Sequence, residues 1–324
     1  MGDTLFMKYY VRYPVAHQSI IAILEKLKKK QLNIFIDIQS ICKGFYNRDV
    51  VLMELGHYTR DGKISNILIE EMRSYMNDLY HKFKQYDPYF VLFYDDGYCQ
   101  QNKIIMSEYK AARTTLNLLL EHDHEVELFR QIKRYYYEEL LKFNKSDLCH
   151  VYYLREYEAD CIPHYCLMHD LFDSQNKDVL NVILSVDKDL LQTCKFRNTL
   201  QHIVNYTTKA GKRLIFDLYY YENAIGYFHK NFKRGILTAE HIPLILSICG
   251  DKSDHIPSVQ RGVGPVKACK LIETHNIPSN LIEIKNNLQN MPSLIQDNIV
   301  EIERNMKIID FELQIGRMPS KIFN

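Results

Sequence analysis

Residues 32–37 read LNIFID, in which the short hydrophobic run Leu32–Ile36 is followed by an acidic residue, Asp37. Short runs rich in β-branched and aromatic residues are typical of buried β-strands. Three more such runs follow along the chain: Tyr89–Phe93, His150–Leu154 and Asn181–Val186. Helical patterns at Ile67–Phe83 and Ala159–Leu171 lie between them. The alternating order predicts an α/β fold with a mainly parallel central sheet flanked by helices.

Acidic residues follow all four predicted strands. They are Asp37 after the first, Asp95 and Asp96 after the second, Glu158 and Asp160 after the third, and Asp187 and Asp189 after the fourth. The carboxyl ends of parallel strands meet at one edge of a sheet, where α/β proteins bind their ligands. A single acid at a strand end is equally well explained as a solvated loop residue or a helix N-cap, and we assign Asp96 to that role. Four successive strands with the same feature favour a shared site.

Carboxylates brought together at this edge would repel one another. Two unit charges about 4 Å apart repel by roughly 4 kcal/mol at an effective dielectric of about 20, so a cation is needed. A ligand set made of oxygen atoms suits Mg²⁺ or Mn²⁺, whereas zinc prefers histidine and cysteine. A pair of such ions can hold a phosphodiester and activate water. The pattern therefore predicts metal-dependent phosphoryl chemistry.

The composition predicts a folded, intracellular protein. The 324 residues are 46% hydrophobic, enough for one large domain or two smaller ones. The 41 basic and 40 acidic side chains give a net charge of +1, which neither favours nor excludes a nucleic-acid partner. The sequence has no apolar run of about 18 residues and no secretion signal, so we expect no membrane partner and a cytoplasmic location. The eight cysteines are scattered without a CxxC pair and are expected to be reduced.

Five segments together resemble the motifs of a known enzyme family. In chain order they are FIDIQSICKGFY (35–46), VLFYDDG (91–97), YEADC (157–161), LSVDKDLLQ (184–192) and CGDKSDHIPSVQRGVGPVKA (249–268). They resemble, in the same order, the motifs of the flap endonuclease and 5′-3′ exonuclease family, and the chain is most similar to its bacteriophage members. The resemblance implies a PIN-like 5′-nuclease fold.

The resemblance also implies two sites for Mg²⁺ or Mn²⁺. The first would comprise Asp37, Asp95, Glu158 and Asp160, and the second Asp187, Asp189, Asp251 and Asp254. Asp160 and Asp187 are candidates to bridge the two ions.

Members of the family carry a tyrosine, a lysine and an arginine after the second motif. The segment SEYKAAR supplies Tyr109, Lys110 and Arg113. On a helix, Lys110 and Arg113 would share one face and could contact the scissile phosphate. Tyr109 could stack on a base near the cleaved bond. Without the resemblance, a solvated basic helix face is the better interpretation of this segment.

Gly262, Val263 and Gly264, followed by Lys267, resemble the hairpin of a helix-three-turn-helix at about residues 245–270. In the family this element binds duplex phosphates through backbone amides, without reading sequence, and often holds a potassium ion. A plain turn between two helices is the alternative for an isolated Gly-x-Gly.

The resemblance implies two parts for the chain. Residues 1–237 would form the catalytic α/β domain, with residues 97–143 as a helical arch or lid over the sheet. Residues 238–324 would form a helical DNA-binding part.

The sequence departs from the family pattern at three positions. Cys161 stands where the family has a further carboxylate, Ser258 where glycine is usual, and Val266 where a basic residue is frequent. We expect Cys161 to weaken binding of the second metal, and Ser258 and Val266 to alter binding to duplex DNA. Four residues at or near position 161 could in principle bind zinc: Cys161, His164, Cys166 and His169. On one helix their side chains would point in directions too far apart to meet at a single ion, which disfavours a zinc site.

The function implied is that of a structure-specific 5′ nuclease with a two-metal mechanism. Its substrates would be DNA 5′ ends, flaps or RNA-DNA duplexes. Its role would be primer removal during replication, which would take place in the host cytoplasm if the protein is phage-encoded. We expect the protein to be a monomer and to interact with replication proteins. Two alternatives remain open: a PIN-type ribonuclease, and a non-catalytic protein that binds branched DNA.

Overall fold

The computed structural model describes residues 13–38, 66–95, 99–111, 138, 141–142, 148–207, 213–229 and 237–319. Asp96, Arg113 and most of the predicted arch at 97–143 lie outside these ranges.

Six strands form one sheet in the order β3-β2-β1-β4-β5-β6. The strands are β1 Gln31–Asp37, β2 Pro88–Asp95, β3 Cys149–Leu154, β4 Val179–Leu184, β5 Thr199–Thr207 and β6 Arg213–Tyr219. Strands β1 to β5 are parallel, and β6 is antiparallel to β5. The prediction of a mainly parallel sheet is confirmed, and β1 and β4 lie at its centre.

The described helices lie on both faces of the sheet and in the C-terminal part. They are α1 Tyr13–Lys26, α2 Asn66–Phe83, α3 Gln100–Ile105, α4 Cys161–Met168, α5 Ile242–Cys249, α6 Pro265–His275, α7 Leu281–Asn286, α8 Ser293–Asp297, α9 Ile299–Ile309 and α10 Phe311–Ile315. Short 3₁₀ segments cover Lys84–Tyr86, Leu171–Asp173, Lys188–Lys195, Ala224–Tyr227, Ala239–His241 and Leu288–Asn290. No helix in these parts of the chain is long and apolar enough to cross a membrane.

Strand β1 shows why the sheet is covered on both faces. Its side chains alternate, so Leu32, Ile34 and Ile36 join an apolar cluster with α1 and α2. Phe35 joins a second cluster on the opposite face with α4 and α10. A strand buried on both faces reads as a nearly continuous hydrophobic run, which is the LNIFI pattern.

Two strands and one helix end were not predicted. Polar residues interrupt strands β5 (TLQHIVNYT, residues 199–207) and β6 (RLIFDLY, residues 213–219), so neither has the long hydrophobic run of the central strands. The helix predicted to reach Leu171 ends at Met168. The chain beyond it takes left-handed backbone angles at Asp170, Phe172 and Asp173, which an α-helix cannot include.

A third apolar cluster joins the C-terminal helices to the sheet domain. It contains residues of α5, α6 and α9 together with Tyr109 and Leu191. The predicted helical character of the C-terminal part is confirmed, whereas the boundary at residues 237 and 238 stays a prediction.

Candidate metal centre

Strand ends position the first group of acids. Asp37 is the last residue of β1 and Asp95 the last of β2. Asp187 and Asp189 lie just beyond β4, which neighbours β1 in the sheet. Parallel strands point their carboxyl ends to one edge, so these loops meet where the sequence predicts a site.

Hydrogen bonds fix two of these acids to neighbouring loops. Ser185 Oγ donates to Asp37 Oδ2 at 2.8 Å, which links the end of β1 to the loop after β4. The backbone N–H of Ala159 donates to Asp95 Oδ2 at 3.0 Å, which links the end of β2 to the loop that carries Glu158 and Asp160. Asp37 and Glu158 are buried, at 7% and 8% exposure.

Electrostatics shows that the acids lie close together. The pKa of Asp160 is raised well above its ordinary value by burial and then by four neighbouring carboxyls: Asp187, Asp37, Glu158 and Asp95. Burial and then Asp187 likewise raise the pKa of Asp189, and Asp251 and Asp254 raise it further. The ammonium of Lys188 lowers this pKa and so opposes part of the shift. The two groups of acids are therefore neighbours, and their negative charges disfavour one another.

Three carboxylates come close enough to hold one cation. Asp189, Asp251 and Asp254 each offer a carboxylate oxygen, and these oxygens lie within 4.8 Å of one another. Within the described ranges this is the one group of three or more metal-ligating side chains that meets that distance. Its donor chemistry, oxygen only, fits Mg²⁺ or Mn²⁺.

A tight hairpin between α5 and α6 presents Asp251 and Asp254. Asp251 and Ile256 pair as an antiparallel bridge, with N···O distances of 2.9 and 2.8 Å. Ser253 donates to Asp251 Oδ1 from both its N–H, at 2.9 Å, and its Oγ, at 2.6 Å. Gly250 precedes the hairpin with a φ of +72°, and a Cβ there would lie 2.5 Å from Ile256 O. Only glycine fits this position.

Tyr109 does not have the predicted stacking role in this structure. The residue is 2% exposed, so its ring has no face accessible to a base. Its hydroxyl donates to Glu158 Oε1 at 2.6 Å and lies 3.3 Å from Asp254 Oδ2. Tyr109 therefore links an acid of the first predicted site to an acid of the second.

Lys110 reaches the acids from a turn, not from the predicted helix. Residues 107–110 form a turn after α3, and Lys110 has a φ of +52°. Its backbone N–H donates to Asp254 O at 3.0 Å. Its ammonium contacts Glu158 and lies 3.7 Å from Asp254 Oδ2. The predicted helical face shared with Arg113 is wrong for Lys110, because a left-handed residue interrupts a helix.

Lys188 is a site residue that the sequence did not single out. Its ammonium contacts Asp251 Oδ2 and lies 3.5 Å from Asp189 Oδ1. Burial disfavours the charged ammonium, but Asp189 and Asp251 outweigh burial and raise the pKa of Lys188. The pKa of Asp251 is lowered, since Lys188 and Ser253 outweigh the effect of its own burial. The signal available in sequence was the DKD pattern, which places a lysine between two site acids.

Two buried amides anchor the acidic loops to the C-terminal helices. Gln192 Nε2 donates to Asp189 O at 2.9 Å and to Ile309 O at 3.0 Å, and its Oε1 accepts from Phe311 N at 3.0 Å. Asn305 donates to Ser247 O at 2.9 Å and to Pro257 O at 3.1 Å, on either side of the hairpin. The C-terminal helices thus hold both loops of the three-carboxylate group.

The segment that resembles a DNA-binding hairpin lies at the N-terminus of α6. Gly262 has a φ of +82°, Gly264 precedes the helix, and Pro265 is its first residue. Lys267 lies in the exposed first turn. The geometry leaves backbone N–H groups of a helix N-terminus open to an anion.

Cys161 lies in the apolar cluster behind the site. It is 0% exposed, and its thiol donates to Glu158 O at 3.0 Å. A carboxylate at this position would need polar partners that this cluster does not supply, whereas a thiol packs as a small apolar group. His164, from the disfavoured zinc set, packs its ring against Phe196 and Phe311.

Gly250→Ala should destabilise the protein by about 1–3 kcal/mol, because the new Cβ meets backbone atoms and L-residues disfavour the φ of +72°. Urea unfolding would measure the change. Gly226→Ala is the matched control, since nothing lies within 4 Å of its Cβ position. Equal stability of the two variants would contradict the hairpin geometry.

Tyr109→Phe should lower the free energy of unfolding of the metal-free protein by about 0.5–1.5 kcal/mol, because it removes the buried hydrogen bond from the Tyr109 hydroxyl to Glu158. Tyr80→Phe is the control, because that side chain is 37% exposed. Urea titrations that give the two variants the same midpoint would count against the Tyr109 bridge.

No protein-family model matches the sequence, and no curated protein does. Solved structures do match. The T5 5′-exonuclease with bound zinc ions has a TM-score of 0.60 and 16% identity, and the match covers 87% of this chain and 90% of that chain. A T5 protein co-crystallised with metal ions gives a TM-score of 0.61 and 16% identity, with coverage of 87% and 90%. The flap endonuclease of bacteriophage T5, in a pseudo-enzyme–product complex with DNA and metal ions, gives 0.58 and 17%, with coverage of 87% and 89%. The chain thus shares the α/β 5′-nuclease fold of the T5 structures.

Proposed function

We propose that this protein is a metal-dependent, structure-specific 5′ nuclease of the flap endonuclease and 5′-3′ exonuclease family. It hydrolyses phosphodiesters near the 5′ ends of DNA or RNA-DNA. The observation that carries the proposal is the convergence of Asp189 with Asp251 and Asp254, from two separate loops, on a spacing that suits one divalent cation. The fold shared with the T5 nucleases supports the same conclusion.

The eight acids would hold two ions, Mg²⁺ or Mn²⁺, in adjacent sites. Asp37, Asp95, Glu158 and Asp160 belong to the first, and Asp187, Asp189, Asp251 and Asp254 to the second. When bound, such ions supply Lewis-acid chemistry that polarises phosphate oxygens and makes water a better nucleophile. Burial and the neighbouring carboxyls raise the pKa of Asp160 and of Asp189, and a bound cation would offset the repulsion among these carboxylates.

The chain's own cations complete the site. The ammonium of Lys110 contacts Glu158 at the rim of the acids, where it can offset charge that develops on a cleaved phosphate. The hydroxyl of Tyr109 orients Glu158 by hydrogen bonding. Arg113 is proposed to act with Lys110 on the same phosphate.

The helix N-terminus at Gly262, Val263 and Gly264 is the proposed binding site for duplex DNA. Open backbone amides and the exposed Lys267 favour a phosphate without regard to base sequence. The family resemblance adds a potassium ion at this hairpin. The same resemblance supports an arch at residues 97–143, a monomeric state and a role in primer removal in the host cytoplasm.

Asp189→Asn should abolish cleavage of a 5′-labelled flap or nicked duplex in Mg²⁺ and leave DNA binding within about twofold, because the residue is proposed to hold a metal and not the DNA. Asp178→Asn is the matched control, since Asp178 pairs with Lys30 away from the site. Cleavage and electrophoretic mobility assays would be run in Mg²⁺ and in chelator. Full cleavage by Asp189→Asn would refute the assignment.

The same assays separate the alternatives. Cleavage of single-stranded RNA in preference to branched DNA would favour a PIN-type ribonuclease. Mg²⁺-independent binding without cleavage of any substrate would favour a non-catalytic DNA-binding protein.

Lys267→Ala should weaken duplex binding evenly across sequences and reduce the slope of log affinity against log salt by about one, as expected for the loss of one phosphate contact. Lys285→Ala is the control, since Lys285 pairs with Glu303. Fluorescence anisotropy over a salt series would measure both. An unchanged slope for Lys267→Ala would exclude this contact.

A further inference from the structure

The position of Lys188 has a consequence for metal binding. Its ammonium contacts Asp251 Oδ2 and lies 3.5 Å from Asp189 Oδ1. These two residues supply two of the three carboxylates whose oxygens come within 4.8 Å of one another. The ammonium therefore neutralises the same acids that a divalent cation would use.

We propose that Lys188 is a built-in counter-ion that competes with the divalent cation for Asp189, Asp251 and Asp254. Metal loading then requires the ammonium to leave the acids. This inference rests on the proposed function, because it takes the three-carboxylate group to be a metal site.

The contacts of Asp251 allow such an exchange. Its Oδ1 is held by the N–H of Ser253 at 2.9 Å and by Ser253 Oγ at 2.6 Å, while Lys188 contacts only Oδ2. Departure of the ammonium would release Oδ2 for a cation and leave the carboxylate anchored through Oδ1.

The contacts of Asp189 point to the same exchange. Its Oδ1 is buried and has no hydrogen-bond partner. The Lys188 ammonium is 3.5 Å from that oxygen, which is an ion pair without a hydrogen bond. The backbone of Asp189 is held independently, by Asp187 Oδ1 at 2.9 Å on its N–H and by Gln192 on its carbonyl. A cation could therefore reach Oδ1 without rearranging the loop.

The lysine itself is able to move. Its side chain is 25% exposed, and its flexible four-carbon stem can turn the ammonium toward solvent. An ammonium tethered in the same loop is always present at high effective concentration, so it holds the acids together in the metal-free protein and lowers the apparent affinity for metal.

The test is Mn²⁺ binding to Lys188→Gln by isothermal titration calorimetry, at pH 8 and without DNA. We expect a Kd about tenfold lower, or lower still, than that of the unmodified protein, because no ammonium then has to leave the carboxylates before the ion binds. The Tm of the metal-free variant should fall, and Mn²⁺ should raise it more than it raises the Tm of the unmodified protein. Lys188→Arg should keep weak binding, and Lys285→Gln, at a surface ion pair, should change nothing.

A double variant assigns the effect to this site. Lys188→Gln with Asp189→Asn should lose the gain in affinity, whereas persistence of the gain would overturn the proposal. If the unmodified protein binds Mn²⁺ and Lys188→Gln binds no more tightly, the competition is refuted while the metal site stands. If neither binds Mn²⁺, the metal site of the proposed function fails and the competition fails with it.

A second measurement uses the unmodified protein and does not depend on the folding of a variant. Amine acylation followed by mass spectrometry reports how accessible each ammonium is. Saturating Mn²⁺ should increase the labelling rate of Lys188 severalfold and leave that of Lys285 unchanged. An unchanged rate at Lys188 would overturn the proposal.

Discussion

Mutual repulsion among carboxylates is the constraint on which the site depends. Burial and the other acids raise the pKa of Asp160 and Asp189, so the site acids disfavour one another's charge. The fold brings these acids together because parallel strands deliver their carboxyl ends to one edge. The chain offsets part of the repulsion with its own donors, above all Lys110, Lys188 and the hydroxyl of Tyr109.

The C-terminal helices are part of this arrangement and not a separate attachment. Gln192 and Asn305 are both buried amides, and each joins an acidic loop to the last helices by several backbone hydrogen bonds. A buried amide with all these bonds made specifies one arrangement of the loops, because a shifted loop would leave it unpaired. The two loops of the three-carboxylate group are therefore held by the same short stretch of helices.

The central sheet could be predicted from sequence because its strands are buried on both faces and read as hydrophobic runs. Strands β5 and β6 could not be predicted in this way, since polar residues interrupt their hydrophobic runs. The positions of Asp37 and Asp95 could be predicted because each follows a hydrophobic strand. The contacts of Tyr109 and Lys110 could not be predicted, because the sequence pattern indicates a helix where the chain turns at a left-handed residue. Lys188 was missed for another reason: its partner Asp251 lies 63 positions away in sequence, and only the fold brings them together.

The clustered acids are proposed to form a divalent metal centre. Anomalous diffraction from crystals soaked in Mn²⁺ would locate the bound ions. We expect two peaks, one among Asp189, Asp251 and Asp254 and one beside Asp37, Asp95, Glu158 and Asp160. Saturating Mn²⁺ with no anomalous peak at these carboxylates would contradict this proposal.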